Sequence, residues 1–361
     1  MKPLLAQLVQ GRTLSRGQAT EAFELIMSGQ STPAQTGALL ALVAQRGPTV
    51  DELVGAATVM RAHATPVEVP AGLTVIDTCG TGGDHAGTFN ISTAAALVAA
   101  AAARPHNIAV AKHGNRAVTS SSGSSQVLEA LGVKLQVSSA TLTRCLDEAG
   151  ICFCFAPAHH PAMKHAAPVR ADLGFRTIFN LVGPLTNPAK ATRQVVGVFA
   201  PDLVDLVAEA LLALDAEHAL VVHGTLPDRR HAAPRDIGEG AGRIDELSTC
   251  GNNKVAEVRR GRIKTYEFDP ATLGLPFSHP SALVVESVEQ SAAVIRGVFA
   301  GEKGPARDIV CLNAAAALLV AGVAKDWNEG LAHATAAINA GSAQRTLETL
   351  VELTTADGGG G

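Results

Sequence analysis

The sequence predicts an α/β protein with a mostly parallel central sheet flanked by helices, carrying a small all-helical domain at its N-terminus. Three observations support this. Before residue 65 only helical periodicity is legible. From Leu73 onward, short apolar runs alternate with helical stretches, the pattern of β and α units building a parallel sheet. The first two of those runs each end in a glycine-bearing turn followed by helix-start residues. A chain of 361 residues, 47% apolar but only 3% aromatic, must build its core from Ala, Val, Leu and Ile.

The helical part starts with three capping boxes: Ser15 with Gln18, Thr32 with Gln35, and Thr49 with Glu52. Pro33 follows Thr32 at the first helical position, where its missing N–H costs nothing. Apolar residues recur at helical spacing, as in Ala22-Phe23, Leu25-Ile26, Leu39-Leu40 and Leu42-Val43. The expected division is a helical domain over 1–70, completed by part of 160–190, and an α/β domain over 71–361.

In the α/β part, Leu73-Thr74-Val75-Ile76 and Ile108-Ala109-Val110-Ala111 read as buried strands. Val133-Lys134-Leu135 is a short strand candidate, Thr141 to Ala149 a helix, and Ile151 to Phe155 a further strand. Val195 to Val198 and Ala219 to His223 read as strands, separated by a helix from Pro201 to Leu214. Lys254 to Phe268 is expected to be antiparallel, followed by helices over Glu286–Phe299, Pro305–Ala321 and Trp327–Asn339. Tyr266 and Trp327, the only residues of their kinds, are assigned to the core. Gly224 to Gly242 reads as a surface loop and Gly358 to Gly361 as a flexible tail. No internal repeat is evident.

The chemistry is carried by Asp77-Thr78-Cys79-Gly80-Thr81-Gly82-Gly83-Asp84 and Lys112-His113-Gly114-Asn115-Arg116, both read as turns after strands. Backbone wrapped round a phosphate needs positive φ and no Cβ facing the ligand, which Gly80, Gly82 and Gly83 allow. Asn90-Ile91-Ser92-Thr93 and Ser124-Ser125 then offer helix N-termini to an anion. Two such turns, one with a lysine, suggest a ligand with more than one phosphate. The first turn is not a P-loop, lacking Gly-Lys-Ser/Thr, nor a dinucleotide fingerprint, because His85 stands at the third glycine. Ligands of parallel sheets bind outside the carboxyl ends of the strands, where both turns and the chain after His223 fall. Asp245-Glu246 would be an ordinary solvated pair in isolation; facing phosphate turns, the two become candidate magnesium ligands.

These motifs together resemble the anthranilate phosphoribosyltransferase family, which is related to the pyrimidine nucleoside phosphorylases. The resemblance includes Lys112 to Val118, His160-Pro161-Ala162-Met163-Lys164-His165, Val169-Arg170, Arg176 to Asn180, Gly183 to Pro188 and Asp245-Glu246-Leu247, and runs along nearly the whole chain in order. It implies transfer of phosphoribosyl from phosphoribosyl diphosphate to the amine of anthranilate. Gly80, Gly82, Gly83, Asp84, Thr88, Asn90, Ser92, Thr93, Lys112 and Ser124 would then hold phosphoribosyl diphosphate. Gly80, His113, Asn115, Arg170 and Gly183 would face anthranilate, Arg170 meeting its carboxylate; an exposed helix face is the other reading of Arg170. The resemblance also implies Mg²⁺, two per subunit, held with Ser92, Asp245 and Glu246, and a homodimer formed through the helical domain. Ser121 and Gln126 depart from the family, standing where lysine and aspartate are usual.

Other classes fit less well. A net charge of −4 without a basic stripe argues against a nucleic-acid partner, and Arg259-Arg260-Gly261-Arg262 reads as a solvated turn. The apolar stretch near residue 100 is interrupted by Arg104, Pro105 and His106 and is too short to span a bilayer. The six cysteines show no Cys-x-x-Cys pair, the histidines no His-Glu-x-x-His spacing, and no secretory signal is legible. A cytoplasmic location with reduced thiols is expected. The competing functions are a pyrimidine nucleoside phosphorylase and a non-catalytic relative that binds nucleic acid. Lys112-His113-Gly114-Asn115 and the acidic pair favour the transferase over the first, the net charge and intact phosphate turns over the second.

Overall fold

The computed structural model describes residues 1–84, 86–116, 123–225 and 242–357. Ser121, most of the Gly224–Gly242 stretch and the Gly358–Gly361 tail lie outside the described residues. The N-terminal domain is built from α1 (Lys2–Val9), α2 (Arg16–Met27), α3 (Pro33–Arg46) and α4 (Val50–Ala62). All three capping boxes form, with Ser15, Thr32 and Thr49 each accepting from the backbone N–H three residues on. Glu52 goes further. Its buried carboxylate also accepts from the Leu14 N–H at 2.9 Å and pairs with Arg46, tying α4 to the start of α2 and the end of α3.

The α/β part contains β1 (Thr74–Gly80), α5 (Ile91–Ala103), β2 (Ile108–Gly114), α6 (Ser124–Ala130), α7 (Ser139–Arg144) and β3 (Ile151–Phe155). Short helices α8 (Ala156–His159), α9 (Ala167–Leu173) and α10 (Ile178–Val182) precede β4 (Arg193–Gly197), α11 (Leu203–Ala213) and β5 (His218–Thr225). After β6 (Arg243–Ile244), β7 (Asn253–Arg259) and β8 (Arg262–Phe268) come α12 (Val288–Phe299), α13 (Pro305–Ala321), α14 (Trp327–Asn339) and α15 (Ser342–Thr355). The sheet runs β3-β2-β1-β4-β5-β7-β8, with β6 pairing β5. The first five strands are parallel; β6, β7 and β8 add antiparallel pairs.

Each face of the sheet builds its own core by the period-two alternation of strand side chains. On β5, Leu220 and Val222 join α5 and α13 on one side, while Ala219 and Val221 join α11 and the helical domain on the other. Alanines of α5 pack against Ala314, Ala316 and Ala317 of α13, so this aromatic-poor core gains density by close helix approach. The segment from Pro161 through α10 packs on α2, α3 and α4.

Four features differ from the sequence expectation. Both glycine-bearing turns begin later than expected: Asp77 to Gly80 and Lys112 to Gly114 are the last residues of β1 and β2. Val133-Lys134-Leu135 is not a strand, because the Val133 N–H returns to Leu128 O and that of Lys134 is taken by Thr354 Oγ1. The Thr141–Ala149 helix starts at Ser139 and ends in a π turn over Cys145–Ala149. The terminal helix α15 was not expected. All six cysteines are free and buried. Among the described residues, no helix is long and apolar enough to cross a membrane.

Candidate active site

The strand order reverses between β1 and β4, the place where loops leaving a parallel sheet diverge and open a crevice. A cleft of about 660 Å³ lies there, at the carboxyl ends of the strands. Two glycines make room in it. Gly80 and Gly197 are register partners on β1 and β4; the carboxylate of Asp245 lies against the first and its backbone against the second. A Cβ on Gly197 would stand 1.5 Å from the Asp245 carbonyl oxygen, so no other residue fits.

Beyond β1, Gly82 and Gly83 take positive φ of 67° and 78°, turning the chain across the strand end. The Gly82 N–H donates to Asp245 Oδ2 at 2.7 Å, and the Gly83 carbonyl accepts from Arg176. Asn90 caps α5 by accepting from the Thr93 N–H at 3.1 Å, and the Ser92 N–H donates to Glu246 Oε1 at 3.2 Å. Backbone donors at the turn and at the helix N-terminus are therefore already engaged by anions, the carboxylates of the acidic pair. Thr88 bridges to Val284 on a segment that straps over the turn.

Lys112 and His113 point to opposite faces near the end of β2. Lys112 Nζ donates to the Thr78 carbonyl at 2.5 Å and to Ser92 Oγ at 3.2 Å. Burial lowers its pKa, while Asp77 and Glu246 act to raise it. The carboxylates show the converse. Asp245 is held well above the usual carboxylate range by burial first, then by Asp84 and Glu246. Burial pushes Glu246 up to about 7, with Lys112 opposing the rise and Asp84 adding to it. Three carboxylates thus converge beside one buried ammonium.

The other wall belongs to the segment packed on the helical domain. Arg170 on α9 is half-buried and lines the cleft, its guanidinium 5.3 Å from the centre of the Phe179 ring. It therefore does not sit on an exposed helix face, and among the described residues it has no ion-pair partner. His113 Nε2 lies 3.2 Å from His160 Nε2. Burial, then His160, lowers the His113 pKa to about 3; burial, then His159, lowers that of His160 to about 4. Both rings are neutral at ordinary pH.

Of the residues singled out from sequence, Gly80, Gly82, Gly83, Asp84, Thr88, Asn90, Ser92, Lys112, His113, Asn115, Ser124, Arg170, Gly183, Asp245 and Glu246 all line this one cleft. Thr93 does not; it is buried behind the helix start. Gln126 accepts from the Gly123 N–H at 3.3 Å and so helps start α6. Sequence reasoning gave no role to Arg176, His160 or Gly197. Arg176 and His160 lay inside matched motifs, and Gly197 ends its strand just as Gly80 does, a signal that was available.

Family models described as "Glycosyl transferase family, helical bundle domain" and "Glycosyl transferase family, a/b domain" match residues 2–64 and 72–344. The chain is 48% identical to an anthranilate phosphoribosyltransferase of Parvibaculum lavamentivorans over 353 residues, covering 98% of this chain and 97% of that one. The crystal structure of the anthranilate phosphoribosyltransferase of Thermus thermophilus aligns with a TM-score of 0.85 at 39% identity, over 98% of this chain and 99% of that one. The Saccharomyces cerevisiae enzyme in complex with PRPP and Mg aligns with a TM-score of 0.83 at 25% identity, over 98% and 97% of the two chains. Since the likeness runs through both domains and almost the full length of each relative, the chain belongs to the anthranilate phosphoribosyltransferase family.

Proposed function

We infer that the cleft divides into a donor half and an acceptor half for the family's reaction, transfer of phosphoribosyl from phosphoribosyl diphosphate to the anthranilate amine with release of pyrophosphate. The observation that carries this division is that Arg170 lines the same cleft as Lys112, the two phosphate turns and the acidic pair. Gly80, Gly82, Gly83, Asp84, Thr88, Asn90, Ser92, Lys112 and Ser124 form the donor half. Thr93 acts from behind, as part of the α5 N-terminus. Arg170 receives the anthranilate carboxylate, with Gly80, His113, Asn115 and Gly183 around the ring.

The donor half fits Mg²⁺. Burial first, and then the charge of Asp84, holds Asp245 and Glu246 above their ordinary pKa, a cost that a bound divalent cation would offset. Among the described residues, no group of three or more His, Cys, Asp or Glu could hold a metal by itself. Mg²⁺ binds through one or two carboxylates and completes its shell with substrate phosphates and water. Ser92, Asp245 and Glu246 would hold it, two ions per subunit. Bound there, Mg²⁺ neutralises charge that develops on the departing diphosphate.

The chain's own residues do the rest. Lys112 and the N–H groups at Gly82 and the α5 start face the leaving group as its charge grows, a preorganised stabilisation. On diphosphate binding, the Gly82 and Ser92 N–H groups exchange their carboxylate partners for phosphate oxygens. Arg170 fixes the anthranilate ring so that its amine faces the anomeric carbon; such positioning contributes roughly 7–11 kcal/mol in favourable cases. Neutral His113 and His160 line the approach without repelling the amine. No covalent nucleophile is needed, and Cys79, which lines the cleft, is kept a thiol by burial and by Asp77.

The enzyme acts in tryptophan biosynthesis, in the cytoplasm and as a homodimer through its helical domain. Supporting the dimer, Val9 at the end of α1 is 71% exposed beside the partly buried Leu5. Sedimentation velocity that gave a monomer would remove that part. Pyrophosphate release that requires both anthranilate and phosphoribosyl diphosphate tests the reaction; phosphate-dependent cleavage of thymidine in its place would restore the nucleoside phosphorylase reading.

A further inference from the structure

Asp245 and Glu246 follow the two-residue strand β6 and precede irregular chain, so no sheet ladder holds them. On the cleft side, Asp245 and Glu246 are met by the Gly82 and Ser92 N–H groups, and the Asp245 N–H donates to Asp84 Oδ2 at 3.4 Å. On the core side, the residue that follows them is held by a side chain of α13. Asn313, in the middle of α13 and 4% exposed, grips the next residue in both directions. Its Oδ1 accepts from the Leu247 N–H at 3.0 Å, and its Nδ2 donates to the Leu247 carbonyl at 2.9 Å. Nδ2 also donates to the Ile309 carbonyl at 2.9 Å, which orients the amide on its own helix.

A two-pronged amide clamp copies the pairing a neighbouring strand would give. It acts on the residue immediately after Glu246. Asn253 repeats the device one residue further on, accepting from the Ser248 N–H at 2.6 Å and donating to the Ser248 carbonyl at 3.0 Å.

We propose that Asn313 is a positioning residue for cation binding, holding Asp245 and Glu246 in place through Leu247 before any ligand arrives. The proposal rests on the reading of the acidic pair as cation ligands. Outer partners that orient metal ligands typically change metal affinity by about 10- to 100-fold when removed. Asn313 acts through backbone, so the lower end applies.

The test compares Asn313→Ala with Asn313→Asp, which keeps nearly the same volume and the acceptor but loses the donor. Mn²⁺ binding in the presence of phosphoribosyl diphosphate is read by electron paramagnetic resonance, beside the Mg²⁺ dependence of turnover and thermal unfolding. Either folded variant should bind Mn²⁺ about tenfold more weakly and need correspondingly more Mg²⁺, with KM for anthranilate unchanged. A variant that melts earlier yet keeps the wild-type Mn²⁺ affinity makes Asn313 a packing residue and overturns the proposal. If neither variant folds, hydrogen exchange on the unmodified protein decides. The Leu247 amide should be protected without ligands; protection that appears only with Mn²⁺ and phosphoribosyl diphosphate contradicts a prebuilt clamp. Absence of Mn²⁺ binding and turnover in the unmodified protein would instead reject the functional reading itself.

Discussion

At the scale of single residues, the site is made of groups whose ionisation is set by burial and by one another. Lys112 is a buried ammonium bonded to Thr78 and Ser92, and its charge interacts with both Asp245 and Glu246. Lys112→Met should lower kcat by about 10²–10³-fold, the effect of removing one preorganised charge-stabilising donor; steady-state kinetics checks this. Arg170 lies among apolar and neutral neighbours, so the carboxylate of anthranilate would be its ion-pair partner. Charge-assisted hydrogen bonds are worth about 1.5–3 kcal/mol, so Arg170→Ala should raise KM for anthranilate by roughly 10- to 100-fold and leave KM for phosphoribosyl diphosphate nearly unchanged. Equal change in both constants would deny Arg170 its acceptor role. The histidine pair gives a pH signature. His113 at about 3 and His160 at about 4 lie below the ordinary 6.5, so the unfolded chain binds protons that the folded one refuses. Their stability contribution is full above about pH 6.5 and is lost as pH falls toward 4. The raised carboxyls of Asp245 and Glu246 act in the opposite sense, so the signature is a difference: going from pH 7 to pH 5 should change the thermal midpoint less favourably in the wild type than in His160→Asn, and equal slopes would contradict the buried neutral pair.

At the scale of elements, the strands reach further than their apolar runs. Ile76 and Ala111 end the hydrophobic patterns, yet β1 and β2 continue to Gly80 and Gly114, because ladder pairing with β4 and β3 overrides the polar character of Asp77, Thr78 and Lys112. The capping boxes were legible because they are local chemistry, three residues apart. Asn313 was not, since it matters only through Leu247, which folding brings up from far along the chain; Gly197 carried a strand-end signal, but its partner Asp245 did not show in the sequence. Val133–Leu135 misled for the same reason: apolar, but paired with a helix end rather than a strand. Gly197→Ala forces the Asp245 carbonyl away. It should lower stability by about 1–3 kcal/mol or more and weaken Mg²⁺ dependence together, measured by thermal unfolding and Mg²⁺ titration.

At the scale of the whole molecule, one sheet separates two cores, and its topology decides where the cleft lies. The reversal between β1 and β4 opens the crevice, the antiparallel β5–β7 connection delivers Asp245 and Glu246 to it, and the segment from Pro161 to α10 brings Arg170 from the helical side. The α/β class and the position of the cleft at the strand ends were legible from alternation alone. The antiparallel extension was legible only as a hairpin, and α15 not at all, because an amphipathic helix that closes over others carries no site motif. Under the proposed division, donor and acceptor meet because Arg170, Lys112 and the acidic pair line one cleft. The most direct measurement is therefore anthranilate fluorescence with time, using purified protein, phosphoribosyl diphosphate and Mg²⁺. The account predicts a loss of fluorescence that requires all three and slows severely in Arg170→Ala at low anthranilate. Unchanged fluorescence, with phosphoribosyl diphosphate binding normally by calorimetry, would contradict anthranilate as the acceptor.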